Sequence, residues 1–207
     1  MPWLSLAILF PIACALFIPL LPDGNKVVKW YSLGVTLITF LITVAGYVNG
    51  YDPDISSLQM AEKYTWVPQL GLSWSVGADG LSMPLILLTS FITSLAALAA
   101  WPVTFKPKLF YFLLLIMNGG QIMVFAVQDM ILFFLSWELE LVPVYLMISI
   151  WGGKNRQYAA TKFIIYTAGS SLFILLAGLA MGFWTGHANF EYTYLMEQGF
   201  PKNFQLW

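Results

Sequence analysis

Six long apolar stretches separated by polar breaks dominate the chain: residues 3–22, 28–49, 81–101, 109–127, 130–150 and 159–184. Each is close to the roughly 20 residues that a helix needs to cross a bilayer. They predict an all-α polytopic membrane protein with six transmembrane helices in a single domain, residues 1–207. The first break, Pro22-Asp23-Gly24-Asn25, has turn chemistry. The longest break spans residues 50–80, with short β-prone runs around Gln69-Leu70-Gly71. There we expect a small β-hairpin on the membrane surface, with Trp66 and Trp74 at the interface. Asp79 is placed to cap the third helix, and Gln128-Asp129 reads as the turn before the fifth. Residues 185–207 read as a loop leading to a seventh helix that these residues do not include, so a truncated chain is expected.

Composition agrees with the pattern. The chain is 59% hydrophobic and 9% charged, with mean hydropathy +0.77, whereas soluble domains are about 25% charged. A net charge of −1 suggests no nucleic-acid partner, and the partner to expect is the lipid bilayer. The single Cys14 can make neither an internal disulfide nor a zinc cluster. His187 stands in a polar loop without companions at ligand spacing. Met1-Pro2-Trp3 lacks a basic leader, so residues 3–22 read as a retained span.

Basic residues set the orientation. Lys26, Lys29, Lys106, Lys108, Lys154 and Arg156 fall in the first, third and fifth loops, whereas the second loop sets Lys63 against Asp52, Asp54, Glu62 and Asp79. By the positive-inside rule the N-terminus and the tail lie outside, in a periplasm or lumen.

The chemistry concentrates in Asp129–Trp151, a span carrying Glu138, Glu140 and Pro143. A charge at mid-membrane costs roughly 2.5–3.5 kcal/mol on insertion scales, so the default reading is ion or proton handling. The two glutamates are separated by two positions, about 200° around a helix, and cannot form one dyad. Pro143 removes a backbone hydrogen bond beside them and invites a kink. Asn118-Gly119-Gly120-Gln121 either lines a hydrated cavity or closes a helix contact. Lys162, early in the sixth span, fits either snorkelling to the interface or a cation near the path. Thr167–Ser171 and Gly178–Gly182 bring small residues that favour close packing. GxGxxG, P-loop, CxxC and HExxH motifs are absent from the sequence, so the chain is expected to bind no cofactor by itself.

Trp137-Glu138-Leu139-Glu140-Leu141-Val142-Pro143-Val144-Tyr145, then Trp151-Gly152-Gly153 and Ala160-Thr161-Lys162-Phe163, resembles the chain-M-type antiporter-like subunits of complex I. With Val76-Gly77-Ala78-Asp79-Gly80 upstream, the likeness is to the form in the photosynthetic NAD(P)H dehydrogenase-like complex of cyanobacteria and chloroplasts. The resemblance implies the first part of a fold of about fourteen helices with inverted repeats. It implies that Glu138 is the protonatable residue of a proton channel, paired with a lysine on a broken seventh helix. Glu140 lies outside the general pattern and, with Lys162 as a charge partner, is a weaker candidate. NAD(P)H or ferredoxin, plastoquinone and iron–sulfur clusters would belong to other subunits, the partners in a thylakoid membrane with the N-terminus lumenal. A subunit of a multi-subunit cation/proton antiporter and a truncated structural subunit are the alternatives.

Overall fold

The computed structural model describes residues 1–207 except 23, 56, 68–71, 185–188, 198 and 201–207. Helix α1 (Trp3–Phe17) continues into a 3₁₀ turn, Ile18–Leu20, and is followed by α2 (Asn25–Gly50). Strands β1 (Gln59–Val67) and β2 (Leu72–Ala78) come next, then α3 (Ser82–Ala99), α4 (Pro107–Ala126), α5 (Met130–Trp151), α6 (Arg156–Trp184) and the short α7 (Tyr192–Glu197). Among the described residues, α1 with its 3₁₀ turn and α2 to α6 are the six segments long and apolar enough to cross a membrane. They match the six expected spans within about three residues at either end.

α4 is the hub. It packs on α1, α2, α3 and α5, and α6 joins the bundle through α5. Glycine makes the tightest of these contacts possible. A Cβ at Gly119 would lie 2.5 Å from Ile12 Cγ1 and 2.6 Å from the Ile8 carbonyl oxygen. Gly119 thus closes a helix contact with α1, in the manner of small residues at membrane interfaces. Its neighbour Asn118 is fully buried, and neither amide atom finds a partner among the described residues. The α2–α3 contact carries a hydroxyl pair, Thr43 with Ser90, at 2.9 Å.

Two buried apolar clusters fill opposite ends of the bundle. One gathers Leu4, Ile8, Val76, Met83, Ile122 and Leu132. The other gathers Ala15, Ile18, Val28, Val35, Tyr111 and Leu115. The second end also collects basic residues. Lys29 Nζ donates to the Trp101 carbonyl at 2.8 Å and Lys108 Nζ to the Leu21 carbonyl at 2.7 Å. Each ammonium thereby satisfies a carbonyl just past the end of an adjacent helix, where the helix dipole favours positive charge.

The hairpin closes the first end. β1 and β2 pair antiparallel, with Tyr64 opposite Trp74, and the ladder is irregular between Gln59 and Glu62, where Met60 takes a positive φ of 52°. The expected hairpin therefore forms, although its turn residues 68–71 lie outside the described set. Trp66 is exposed, as an interfacial residue would be. Trp74 instead turns inward, and its indole N–H donates to Ser5 Oγ at 2.8 Å. α1 has no side-chain cap from its own N-cap residue, Pro2. Glu62 supplies one across the gap, accepting from the Leu4 and Ser5 N–H groups at 3.0 and 3.2 Å. Asp79 acts as expected at α3, its Oδ1 accepting from the Leu81 and Ser82 N–H groups at 3.0 and 2.7 Å. α7 forms within the stretch read as a loop; His187 and the approach to a seventh helix lie outside the described residues.

Candidate functional site

α5 runs unbroken through Pro143, which is buried. Its 22 residues span about 33 Å, with Glu138 and Glu140 a third to a half of the way along. The angular separation of the two acids sends them to different neighbours. Glu138 faces α6, where it meets the hydroxyl of Ser171, a residue only 1% exposed. Glu140 faces α4 and lies over Gly120, where a Cβ would come 3.1 Å from Glu140 Cγ.

The Glu138–Ser171 contact is short, and its chemistry is set by proton counting. Ser171 Oγ also lies 3.0 Å from the Ala168 carbonyl oxygen, which can only accept. A serine hydroxyl has one proton. When the hydroxyl donates to Glu138 Oε1, the contact suits a carboxylate. When it donates to the Ala168 carbonyl, the hydroxyl oxygen can accept from a protonated Glu138. The same heavy-atom arrangement therefore satisfies both protonation states of Glu138.

Lys162 is placed elsewhere. It stands on an exposed face of α6, with Nζ 5.9 and 5.8 Å from the ring centroids of Tyr158 and Tyr166. Nine residues separate it from Ser171, which is about 13.5 Å along the helix and half a turn around it. The fold does not bring Lys162 to Glu138. Two glycines of α6 serve packing: a Cβ at Gly178 would meet Met130 Cγ at 2.8 Å and one at Gly182 would meet the Phe190 ring, whereas one at Gly169 would meet nothing within 4 Å.

A second polar cluster sits at the hairpin end of α5, where sequence reading saw only a turn. Asp129 is fully buried and caps α5, with Oδ1 accepting from the Ile131 and Leu132 N–H groups at 2.9 Å each. Its Oδ2 has no partner among the described residues. Backbone bonds from Gln128 to Ser75, from Met130 to Phe190 and from Tyr192 to Gln128 hold this corner together. Lys63 and Glu191 form an ion pair across it at 2.6 Å. Burial pushes the Asp129 carboxyl above its ordinary 3.8, and Glu191 adds to the push, against the pull of the two backbone N–H groups and Lys63. Burial and the Asp129 charge push the Tyr192 phenol up to about 12.

Sequence reading did not single out Ser171 or Asp129 as chemical groups. Ser171 sits in a run of small residues that reads equally well as a packing stripe. Its pairing with Glu138 bridges 33 residues of chain.

The geometry has known counterparts. Residues 127–207 match the family model described as NADH:quinone oxidoreductase/Mrp antiporter, TM. A chain of respiratory complex I from Thermus thermophilus superposes with a TM-score of 0.81 at 25% identity, covering 97% of this chain and 40% of that one. A chain of the Mrp complex from Dietzia sp. DQ12-45-1b shares the fold with a TM-score of 0.78 at 16% identity, covering 94% of this chain and 21% of that one. In fold the chain is similar to the complex I and Mrp chains, and in sequence it is similar to NAD(P)H-quinone oxidoreductase chain 4. It is 70% identical to that of Synechococcus sp. (strain WH7803), over 99% of this chain and 38% of the relative. To that of Prochlorococcus marinus (strain NATL1A) it is also 70% identical, over 99% of this chain and 39% of the relative. The chain thus spans less than two fifths of these relatives' length.

Proposed function

We propose that this chain is part of a proton-translocating, antiporter-like membrane subunit of a photosynthetic complex I-type NAD(P)H- or ferredoxin-plastoquinone oxidoreductase. Glu138 is its protonatable residue. The observation that carries the reading is the Glu138–Ser171 contact, which accommodates the acid charged or neutral without rearrangement. A group that releases and regains protons inside a membrane needs that property, because a charge fixed there is costly. The 70% identity to chain 4 of two cyanobacterial NAD(P)H-quinone oxidoreductases supports the choice of complex. In this reading the chain carries no redox centre. NAD(P)H or ferredoxin, iron–sulfur clusters and plastoquinone are handled by other subunits, and further membrane subunits flank this one. The setting is the thylakoid membrane, with the hairpin and the N-terminus lumenal.

The experiment is Glu138→Gln in the assembled complex, reconstituted in vesicles, with quinone-reduction-driven proton uptake as the readout. Proton uptake falls by roughly tenfold or more, on the scale of a lost acid–base group, while assembly is preserved. Wild-type uptake would overturn the assignment. The other reading with support is a multi-subunit cation/proton antiporter, on the fold shared with the Mrp chain. Its likeness at 16% identity concerns the fold alone. Purification of the chain together with hydrophilic redox subunits separates the two.

A further inference from the structure

Glu140 turns away from Glu138 and from α6, and it has surroundings of its own. The carboxylate sits over Gly120, whose missing side chain leaves the floor open; a Cβ there would come 3.8 Å from Glu140 Oε1. Beside it lies a cavity of about 380 Å³ between α3, α4 and α5. Most of its wall is apolar, but Thr89, Thr93 and Gln121 join Glu140 in lining it. The Thr93 hydroxyl donates to the Thr89 carbonyl at 2.9 Å, so its oxygen is left as an acceptor. Gln121 can donate or accept. The wall can therefore meet a carboxylate, a carboxylic acid or water.

Among the described residues, no counter-charge faces this acid. α3 contains no Asp, Glu, Lys, Arg or His, and the ionisable residues of α4 are Lys108 and Tyr111, in its first two turns. Lys108 is bound to the Leu21 carbonyl and Tyr111 to the Ala97 carbonyl. On α5, Glu138 and Tyr145 lie about 200° and 140° around the axis from Glu140. α6 packs on the Glu138 side of α5 through Ser171, and β2, which also touches α5, carries no Asp, Glu, Lys, Arg or His. An uncompensated charge at this depth is costly, and Thr89, Thr93 and Gln121 are the polar neighbours that the cavity wall offers the carboxyl group.

We propose that Glu140 is a second proton-exchanging carboxylate, served by the cavity between α3, α4 and α5 and separate from the Glu138–Ser171 site. The proposal rests on reading the chain as a membrane subunit of a proton-moving complex, but not on the role given to Glu138. The test is infrared difference spectroscopy of the assembled complex over a series of pH steps, following the carboxyl C=O stretch. Glu140→Gln loses one titrating carboxyl band that Glu138→Gln retains. Gln121→Leu makes the cavity wall more apolar and leaves the acid in place, so it moves the midpoint of that band to higher pH. A full set of bands in Glu140→Gln, or an unmoved midpoint in Gln121→Leu, overturns the proposal. A band that responds to added sodium at fixed pH overturns it in favour of a cation site. Should Glu140→Gln not assemble, the Gln121→Leu midpoint decides alone. Loss of proton uptake in Glu138→Gln with all bands intact in Glu140→Gln refutes only this proposal, whereas the reverse result refutes only the assignment of Glu138.

Discussion

Asp129 combines two roles that usually sit on different residues. As the cap of α5 it accepts from two backbone N–H groups, and as a buried acid beside Glu191 it is held above its ordinary pKa. A carboxyl whose folded-state pKa is raised binds its proton more tightly folded than unfolded. Its contribution to stability is therefore present below the ordinary value of 3.8 and is lost as pH rises through the raised value. Thermal unfolding in detergent at a series of pH values should show wild type losing stability across that window. Asp129→Asn, which keeps a capping oxygen, should show a flatter profile. Asp129→Ala removes the cap as well and should cost about 1 kcal/mol. At Ser171 the hydroxyl is what matters. Ser171→Ala should slow proton uptake through loss of the group shared between Glu138 and Ala168, and Ser171→Thr should restore much of it, measured in the same vesicle assay. Whereas Asp129 read only as a turn, Glu138 and Glu140 were legible in the sequence because a carboxylate in an apolar span is conspicuous. Their partners were not, because serine and glycine look alike in a stripe of small residues.

The helices were the most legible elements, since hydropathy alone sets their length. What the sequence could not decide was which small residues pack and which line space. The Asn118–Gln121 run divides between these fates residue by residue: Gly119 meets α1, Gly120 leaves room for Glu140, and Gln121 lines a cavity. The angular step of the helix sets that division, but its phase becomes known only once α1 and α5 are in place. Gly119→Ala should therefore destabilise by about 1–3 kcal/mol through overpacking against the Ile8 backbone. Gly34→Ala is the control: a Cβ at Gly34 meets nothing within 4 Å. It should be neutral or slightly stabilising, by up to about 1 kcal/mol from helix propensity. Thermal unfolding of the two variants side by side checks both. The hairpin strands were legible from their β-prone runs, while the inward turn of Trp74 depends on Ser5, 69 residues away.

Across the whole molecule, charge divides the two ends of the bundle. Lys29 and Lys108 anchor one end, while Glu62, Asp129 and Glu191 mark the other. The side assignment read from the loops concerns these two ends and is testable. Single cysteines at Ser57 and Lys154, in a Cys14→Ala background, should react with a membrane-impermeant maleimide from opposite faces of sealed vesicles. Labelling of both from one face would refute the six-span topology. The Lys63–Glu191 pair adds little by itself, because the Lys63 side chain is 61% exposed and such pairs contribute about 0–1 kcal/mol.

Glu62 imposes an order in time. The residues it caps, Leu4 and Ser5, precede it by 58 and 57 positions. At synthesis rates of about 5–20 residues per second, α1 emerges roughly 3–12 s before its cap exists. With the hairpin side lumenal as proposed, α1 enters the bilayer unfinished, and it is completed only after the loop bearing Glu62 has itself been carried across. A delay in exporting that loop would leave α1 as a loose end of the bundle.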